Sequence, residues 1–196
     1  KRSAFDTGRG AYVYWLLKSL GAGQLALMKG GHTAWEEAGY PLGAPASPPS
    51  YTANLFMDLT WYATRAEVEA IAAGTARGTL LDSRPQAMFR KITDLGLALP
   101  TTLPDAMSSP AQNLHVKIGT GSTETEDGLA VLTRLKDTSV NWQAETVVSF
   151  CNTGELGALN WFYASELAGV SGVKLYPEST VGWVSSGAEL VAPADG

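Results

Sequence analysis

Apolar residues along the chain follow two rhythms: short unbroken runs, and runs spaced three to four residues apart. The unbroken ones, "GTLLD" (Gly78 to Asp82), "TVVSF" (Thr146 to Phe150) and "VKLY" (Val173 to Tyr176), are too short for buried helices and predict strands covered on both faces. "ATRAEVEAIAAG" opens on a capping box, Thr64 with Glu67, sets Val68, Ile71 and Ala72 on one face and ends at Gly74, which predicts a helix. "RPQAMFR" reads as a loop and a helical turn, and "DGLAVLTRLKD" (Asp127 to Asp137) has helical spacing at Leu129, Leu132 and Leu135. Further helices are predicted from about Leu156 to Leu167 and around Val181. From Lys91 to Gly128 neither rhythm holds, and turn-rich stretches such as "GTGSTETEDG" predict long surface loops. Strands alternating with helices argue an α/β domain with a mostly parallel sheet.

The pattern also repeats. "GAYVYWLLKSLGAGQLALMKGGHTAWEEAGYPL" from Gly10 runs parallel to "GALNWFYASELAGVSGVKLYPESTVGWVSSGAEL" from Gly157, with Trp35 matching Trp183 and Gly39 matching Gly187. Each copy reads as an apolar and aromatic helix, a Gly turn, a short strand, and a small amphipathic helix carrying a Trp. Only the tail of the first copy precedes "PLGAPASPPS", whose prolines and small residues mark a boundary. The expected organisation is residues 1–43 as the C-terminal part of one domain, 44–62 as a linker, and 63–196 as a complete domain. A tail of about 40 residues buries too little surface to fold alone, so a partner is expected for it: the missing N-terminal part of its own domain, as a separate fragment or a longer chain.

Composition narrows the function classes. The formal charge is −5 across 196 residues, and Lys and Arg are scattered singly, so neither nucleic acid nor an anionic membrane finds an electrostatic footprint. No apolar run approaches the ~20 residues of a membrane span. One Cys allows no internal disulfide, and with two His it makes a thin set for zinc, so no metal is expected. The compartment, cytoplasm or bacterial periplasm, stays open.

The single cysteine lies in "VVSFCNTGELGALNWF", between a predicted strand and a predicted helix. That order places Cys151 at the carboxyl edge of the sheet, where open α/β folds bind ligands. Loop amides and the following helix N-terminus favour a charge there, and so stabilise the thiolate, the nucleophilic form of the side chain. Gly154 and Gly157 permit the tight curl such a cradle requires. A small buried hydrophobe is the alternative role for a lone Cys after a strand.

The cysteine loop resembles the active-site loop of rhodanese-type sulfurtransferases, in which Cys ends a central strand and opens a six-residue loop. "GGHTAWEEAGYPL" resembles the close of a rhodanese domain, "LLDSRPQAMFR" its Leu-Asp-x-Arg-x-x-x-x-Phe segment, and "TLPDAM" a degraded Ile-Pro-Gly-Ala-x-x motif. The resemblance implies a tandem rhodanese-like protein, α/β with a mostly parallel central sheet flanked by helices, whose first copy is inactive because its matching loop, "AFDTGRGA", has no cysteine. It further implies that Cys151 takes a sulfane sulfur as a persulfide from a small-molecule donor, such as thiosulfate or a mercapto acid, and passes it to a thiol or cyanide. The amides of Asn152, Thr153, Gly154, Glu155, Leu156 and Gly157 would hold the outer sulfur. Asp82 and Arg84 match positions that brace the segment near the loop, and Arg84 is also a candidate for substrate binding. No metal or organic cofactor is implied.

One departure and two rival readings bear on this expectation. The loop carries Glu155 and no Lys or Arg, which disfavours a dianionic donor. The Cys-x5-Arg of the dual-specificity phosphatases, in which Arg grips the phosphoryl group, is missing because position 157 is Gly. A non-turnover sulfur carrier or protein-binding module remains the alternative, with "KIGTGSTETEDG" as its docking surface.

Overall fold

Leu80 and Leu81 are both buried, yet they enter two different apolar clusters, as do Val147 and Val148. Successive strand side chains point to opposite faces, so these runs lie in a sheet covered on both sides. The structure, a computed structural model, describes residues 4–44, 46–47, 50, 52, 56–92, 99–118, 122–125, 128–136, 140–142 and 146–194. Its main sheet has four strands, β1 (Thr79–Asp82), β2 (Met107–Ser108), β5 (Val147–Phe150) and β6 (Val173–Leu175), in the order β2-β1-β5-β6, all parallel. Helices α3 (Arg65–Ala72) and α7 (Ser179–Ser185) cover one face through Val68, Ile71 and Trp183. The other face is covered by α5 (Gly128–Lys136) and α6 (Glu155–Trp161), with α4 (Gln86–Phe89) as a single turn after β1. The expected α/β class with a parallel sheet is what the chain adopts.

Local chemistry explains the best-read elements. Thr64 caps α3, its hydroxyl accepting the Glu67 N–H at 3.3 Å, and Gly74 at φ 68° turns the chain away. Glu67 spends its carboxylate on Lys174 of β6, at 2.8 Å, tying helix to sheet.

Four expectations are corrected. The stretch within Lys91 to Gly128 is not all loop: His115–Ile118 (β3) and Ser122–Thr125 (β4) pair antiparallel as a separate hairpin, while residues 119–121 and 126–127 lie outside the described residues. Its second strand, "STET", carries no apolar residue, so only β3 shows any strand-like alternation. The segment "AFDTGRGA" is not a loop but part of helix α1 (Ala4–Ser19). A cradle needs neighbours to satisfy its backbone, whereas a helix satisfies its own. "QLALM" (Gln24 to Met28) forms no strand before α2 (Gly31–Glu37), because a strand needs an adjacent edge to pair with. The predicted helix to Leu167 continues past Trp161 as a π-helical segment, Phe162–Leu167.

Helix α1 lies along α6. Ala11 and Trp15 join the core cluster that contains Cys151, Tyr14 packs edge-on to Phe162, and Lys18 and Tyr14 both bond Glu166. Glycine permits the closest approach: a side chain at Gly8 would stand 2.7 Å from the Glu155 carbonyl oxygen. The chain then returns through a 3₁₀ turn, Leu59–Trp61, and Tyr62 bridges to Leu175 beside β6.

Four tyrosines, Tyr12, Tyr14, Tyr62 and Tyr176, hold their protons above the ordinary value of 10.0, with burial as the largest cause in each. Tyr62 donates its hydroxyl proton to Glu178, which raises it further. A folded value above the unfolded one gives stability that is full below the unfolded value and is lost as pH rises through the folded one. The urea midpoint should therefore hold steady up to about pH 9 and fall above about pH 10. The fall should be smaller in Tyr62→Phe, and an equal fall in that variant would contradict the assignment.

Candidate active site

Central strand β5 ends at Phe150, and the next residue, Cys151, is 1% exposed at the carboxyl edge of the sheet. The chain curls through residues 152–154 and enters α6 at Glu155, with Gly154 at φ 98° in the left-handed region. Gly154 donates its N–H to Cys151 Sγ at 3.2 Å. The amides of Glu155, Leu156 and Gly157 open α6, so none has an acceptor within that helix. A side chain at Gly154 would stand 2.6 Å from a ring carbon of Tyr12 and 2.9 Å from the Pro177 carbonyl, so strain and crowding both require glycine.

Helix α7 pins the loop from the other side. The Cys151 N–H donates to Ser179 Oγ at 3.1 Å, the Cys151 carbonyl accepts the Thr180 N–H at 3.1 Å, and the Asn152 carbonyl accepts the Val181 N–H at 3.2 Å. Ser179 sits at φ 53°, uncommon for a residue with a side chain, and its hydroxyl also donates to the Tyr176 carbonyl at 3.0 Å. Strain of this kind, on the order of 1–3 kcal/mol, persists only where surrounding bonds enforce it.

Asp82 and Arg84 brace the loop from β1. Arg84 Nε donates to Asp82 at 2.8 Å, Nη2 to Asp82 at 2.5 Å and to the Thr101 carbonyl at 2.6 Å, and Nη1 to Asn152 Oδ1 at 3.1 Å. Thr102 adds a bond to Asp82 at 2.8 Å, and Thr180 Oγ1 bonds Asn152 Oδ1 at 3.2 Å. Arg84 thus reaches the loop through the Asn152 side chain while its charge is matched by the fully buried Asp82. Under the loop, Asn160 Nδ2 donates to Ser83 Oγ at 3.0 Å, the Ser83 and Ser149 hydroxyls bond at 2.8 Å, and Ser149 donates to the Gly157 carbonyl at 2.9 Å. Since Ser149 spends its proton on that carbonyl, Ser83 is the donor to Ser149, and the chain of bonds runs one way from α6 through β1 and β5 back to α6.

The structure brings Cys151, the Gly154 amide and the Asn152 side chain together, with Arg84 behind them. Thr153 turns outward and donates to Glu155 at 2.5 Å, whereas the Leu156 side chain is buried in the core, so only its backbone faces the loop. Sequence reading missed Ser179, Thr180 and Tyr12. Ser and Thr at the start of "STVGWVS" were a signal of helix-end hydrogen bonding; nothing in the sequence pointed from Tyr12 to the loop. Among the described residues no group of His, Cys, Asp and Glu could hold a metal ion, and no helix is long and apolar enough to cross a membrane.

No family model matches the chain. It is 30% identical over 197 residues to a Mycobacterium bovis protein named "Putative thiosulfate sulfurtransferase 1", covering 94% of this chain and 66% of that one. The "Sulfur carrier protein TtuD" of Thermus thermophilus is 27% identical over 184 residues, 88% of this chain and 63% of its own length. Among solved structures, Tum1 of Saccharomyces cerevisiae superposes with a TM-score of 0.75 at 20% identity, over 98% of this chain and 67% of that one. SseA of Escherichia coli, described with the "rhodanese" fold, superposes with a TM-score of 0.71 at 20% identity, over 90% and 63%. The chain therefore spans just under two thirds of the mycobacterial relative's length. Sheet order, cysteine loop and relatives agree, and the chain belongs to the rhodanese-like sulfurtransferase family.

Proposed function

We propose that this protein moves a sulfane sulfur from a donor to a thiophilic acceptor through a persulfide on Cys151. The Cys151 thiolate attacks the donor's transferable sulfur; one S–S bond forms, the donor's own bond to that sulfur breaks, and its electron pair leaves on sulfite, on a thiolate or, from a 2-oxo mercapto acid whose C–S bond breaks, on the enolate of the keto acid. Cyanide or an acceptor thiolate then attacks the outer sulfur and releases the Cys151 thiolate. Neither step needs a metal, an organic cofactor or an outside oxidant. The single observation supporting this reading is the Gly154 N–H aimed at Cys151 Sγ on the loop between a central strand and α6. In this reading the following amides hold the outer sulfur, and Arg84 positions the loop through Asn152 rather than touching the donor.

The 1% exposure of Cys151 and the likeness to a sulfur carrier favour a second reading, a carrier loaded only by a partner protein. Turnover separates them. An enzyme forms thiocyanate from cyanide with thiosulfate or a mercapto acid over many cycles, whereas a carrier stops at one sulfur per chain.

Residues 1–43 are, in the same reading, part of a second and non-catalytic rhodanese-like unit. Val13, Leu17, Met28 and Leu42 are exposed on that segment, an apolar surface suited to the rest of such a unit. A fragment supplying the missing strands and helices should bind this chain and lower the fluorescence change of an apolar dye; failure to bind would remove the proposal.

A further inference from the structure

Helix α1 brings Tyr12 to the cysteine loop from the other side of the boundary at residues 44–62. Its ring carbons would lie 2.6 and 3.2 Å from a side chain on Gly154, the residue whose amide bonds the thiol. Burial holds the phenol's proton most firmly, followed by the charges of Glu178 and Glu155, and its hydroxyl has no protein partner among the described residues. Glu155 belongs to the loop, and Glu178 is held by Tyr62, which stacks on Trp15 one turn of α1 beyond Tyr12. The guanidinium that reaches the loop, that of Arg84, is already matched by Asp82. Beside the cysteine loop, the Tyr12 phenol thus faces two carboxylates, Glu155 and Glu178, while the guanidinium bonded to Asn152 is spent on Asp82.

We propose that Tyr12 is a specificity-determining residue of the sulfur site: an uncharged hydroxyl backed by Glu155 and Glu178 selects a donor without negative charge, an organic persulfide with a neutral or cationic body. This rests on the sulfur-transfer reading and goes beyond it by naming the donor class. Cys151 thiolate attacks the terminal sulfur of R–S–SH; the new S–S bond forms, the donor's S–S bond breaks, and the electron pair leaves on the inner sulfur, which becomes R–SH on taking a proton. The Tyr12 hydroxyl donates a hydrogen bond to that departing sulfur. Thiosulfate, a dianion, meets two like charges on the same path and is disfavoured.

Single-turnover loading of the full chain, read by intact mass, tests this with cysteamine persulfide as the cationic donor and thiosulfate as the dianionic one. The expected wild-type preference is about tenfold or more for cysteamine persulfide. Tyr12→Arg should move the ratio of the two rates at least about tenfold toward thiosulfate, and Glu178→Gln, which keeps a hydrogen-bond acceptor for Tyr62, should move it the same way by a few-fold. A structural role for Tyr12 would slow both donors alike and leave the ratio in place. A wild type faster with thiosulfate, or a ratio unmoved in both variants while loading persists, overturns the donor assignment alone; a wild type that loads with neither donor overturns the sulfur-transfer reading and this inference with it.

Discussion

Cys151→Ser should abolish sulfur transfer, lowering turnover by about a thousandfold or more, while the urea midpoint stays near that of the parent. The contrast follows from geometry. Serine fits the space of a thiol that is 1% exposed and accepts the Gly154 N–H, so the loop keeps its bonds to Ser179, Thr180 and Val181. What is lost is the sulfur nucleophile on which the proposed transfer depends. Turnover of cyanide with thiosulfate and with an organic persulfide, paired with urea melts, checks both halves. Substantial residual turnover in the serine variant would move the chemistry to another residue.

Asp82→Ala should be strongly destabilising. It leaves the Arg84 guanidinium, whose side chain is 8% exposed, without its buried carboxylate, and also strips Thr102 of its acceptor. Removing one partner of a buried pair costs about 3–5 kcal/mol, on the order of a 10 °C fall in Tm for a chain of this size. Asn152 should lose its anchor as well, so sulfur loading should slow even in the fraction that stays folded. The double change Asp82→Leu with Arg84→Met separates the two effects. With no charge left buried, most of the stability should return, yet slow loading should persist because Asn152 still lacks its brace. Recovery of loading along with stability would show that the ion pair serves the fold alone.

The sheet was legible because its strands depend on burial, which the sequence records directly. "TLLD" and "VVSF" are short apolar runs, and both register against each other in parallel, Leu80 beside Val148. Helix α3 was legible because its start signal, Thr64 and Glu67, acts within one turn. The position of Cys151 followed from strand, loop and helix in that order. Features set by distant partners were not legible. Ser179 becomes part of the cysteine loop only because α7 folds back across 28 residues, and Tyr12 reaches Gly154 only because α1 lies against α6. The hairpin of β3 and β4 is only four residues to a strand and its second strand, "STET", is wholly polar, so its composition resembled loop. The first-copy "QLALM" showed the reverse error, since a strand-like run stays unpaired when no edge is present beside it.

The site also shows how the fold divides its work. Two supports, Arg84 from β1 and the first turn of α7, meet at Asn152 and fix the curl, leaving the Gly154 amide free to face the sulfur. Positioning by groups bonded among themselves keeps the amide from needing to reorganise when charge moves onto sulfur. Burial of the thiol has a separate consequence. Water is excluded from the sulfur, which in the proposed mechanism would protect a persulfide from loss between the two half-reactions.

The most direct measurement is intact mass and peptide mapping of the protein after incubation with excess cysteamine persulfide or thiosulfate. The account predicts a gain of one sulfur located on Cys151, removed by cyanide with release of thiocyanate and never seen in Cys151→Ser. A protein that gains no sulfur, or carries it elsewhere while Cys151 stays unmodified, would contradict the account.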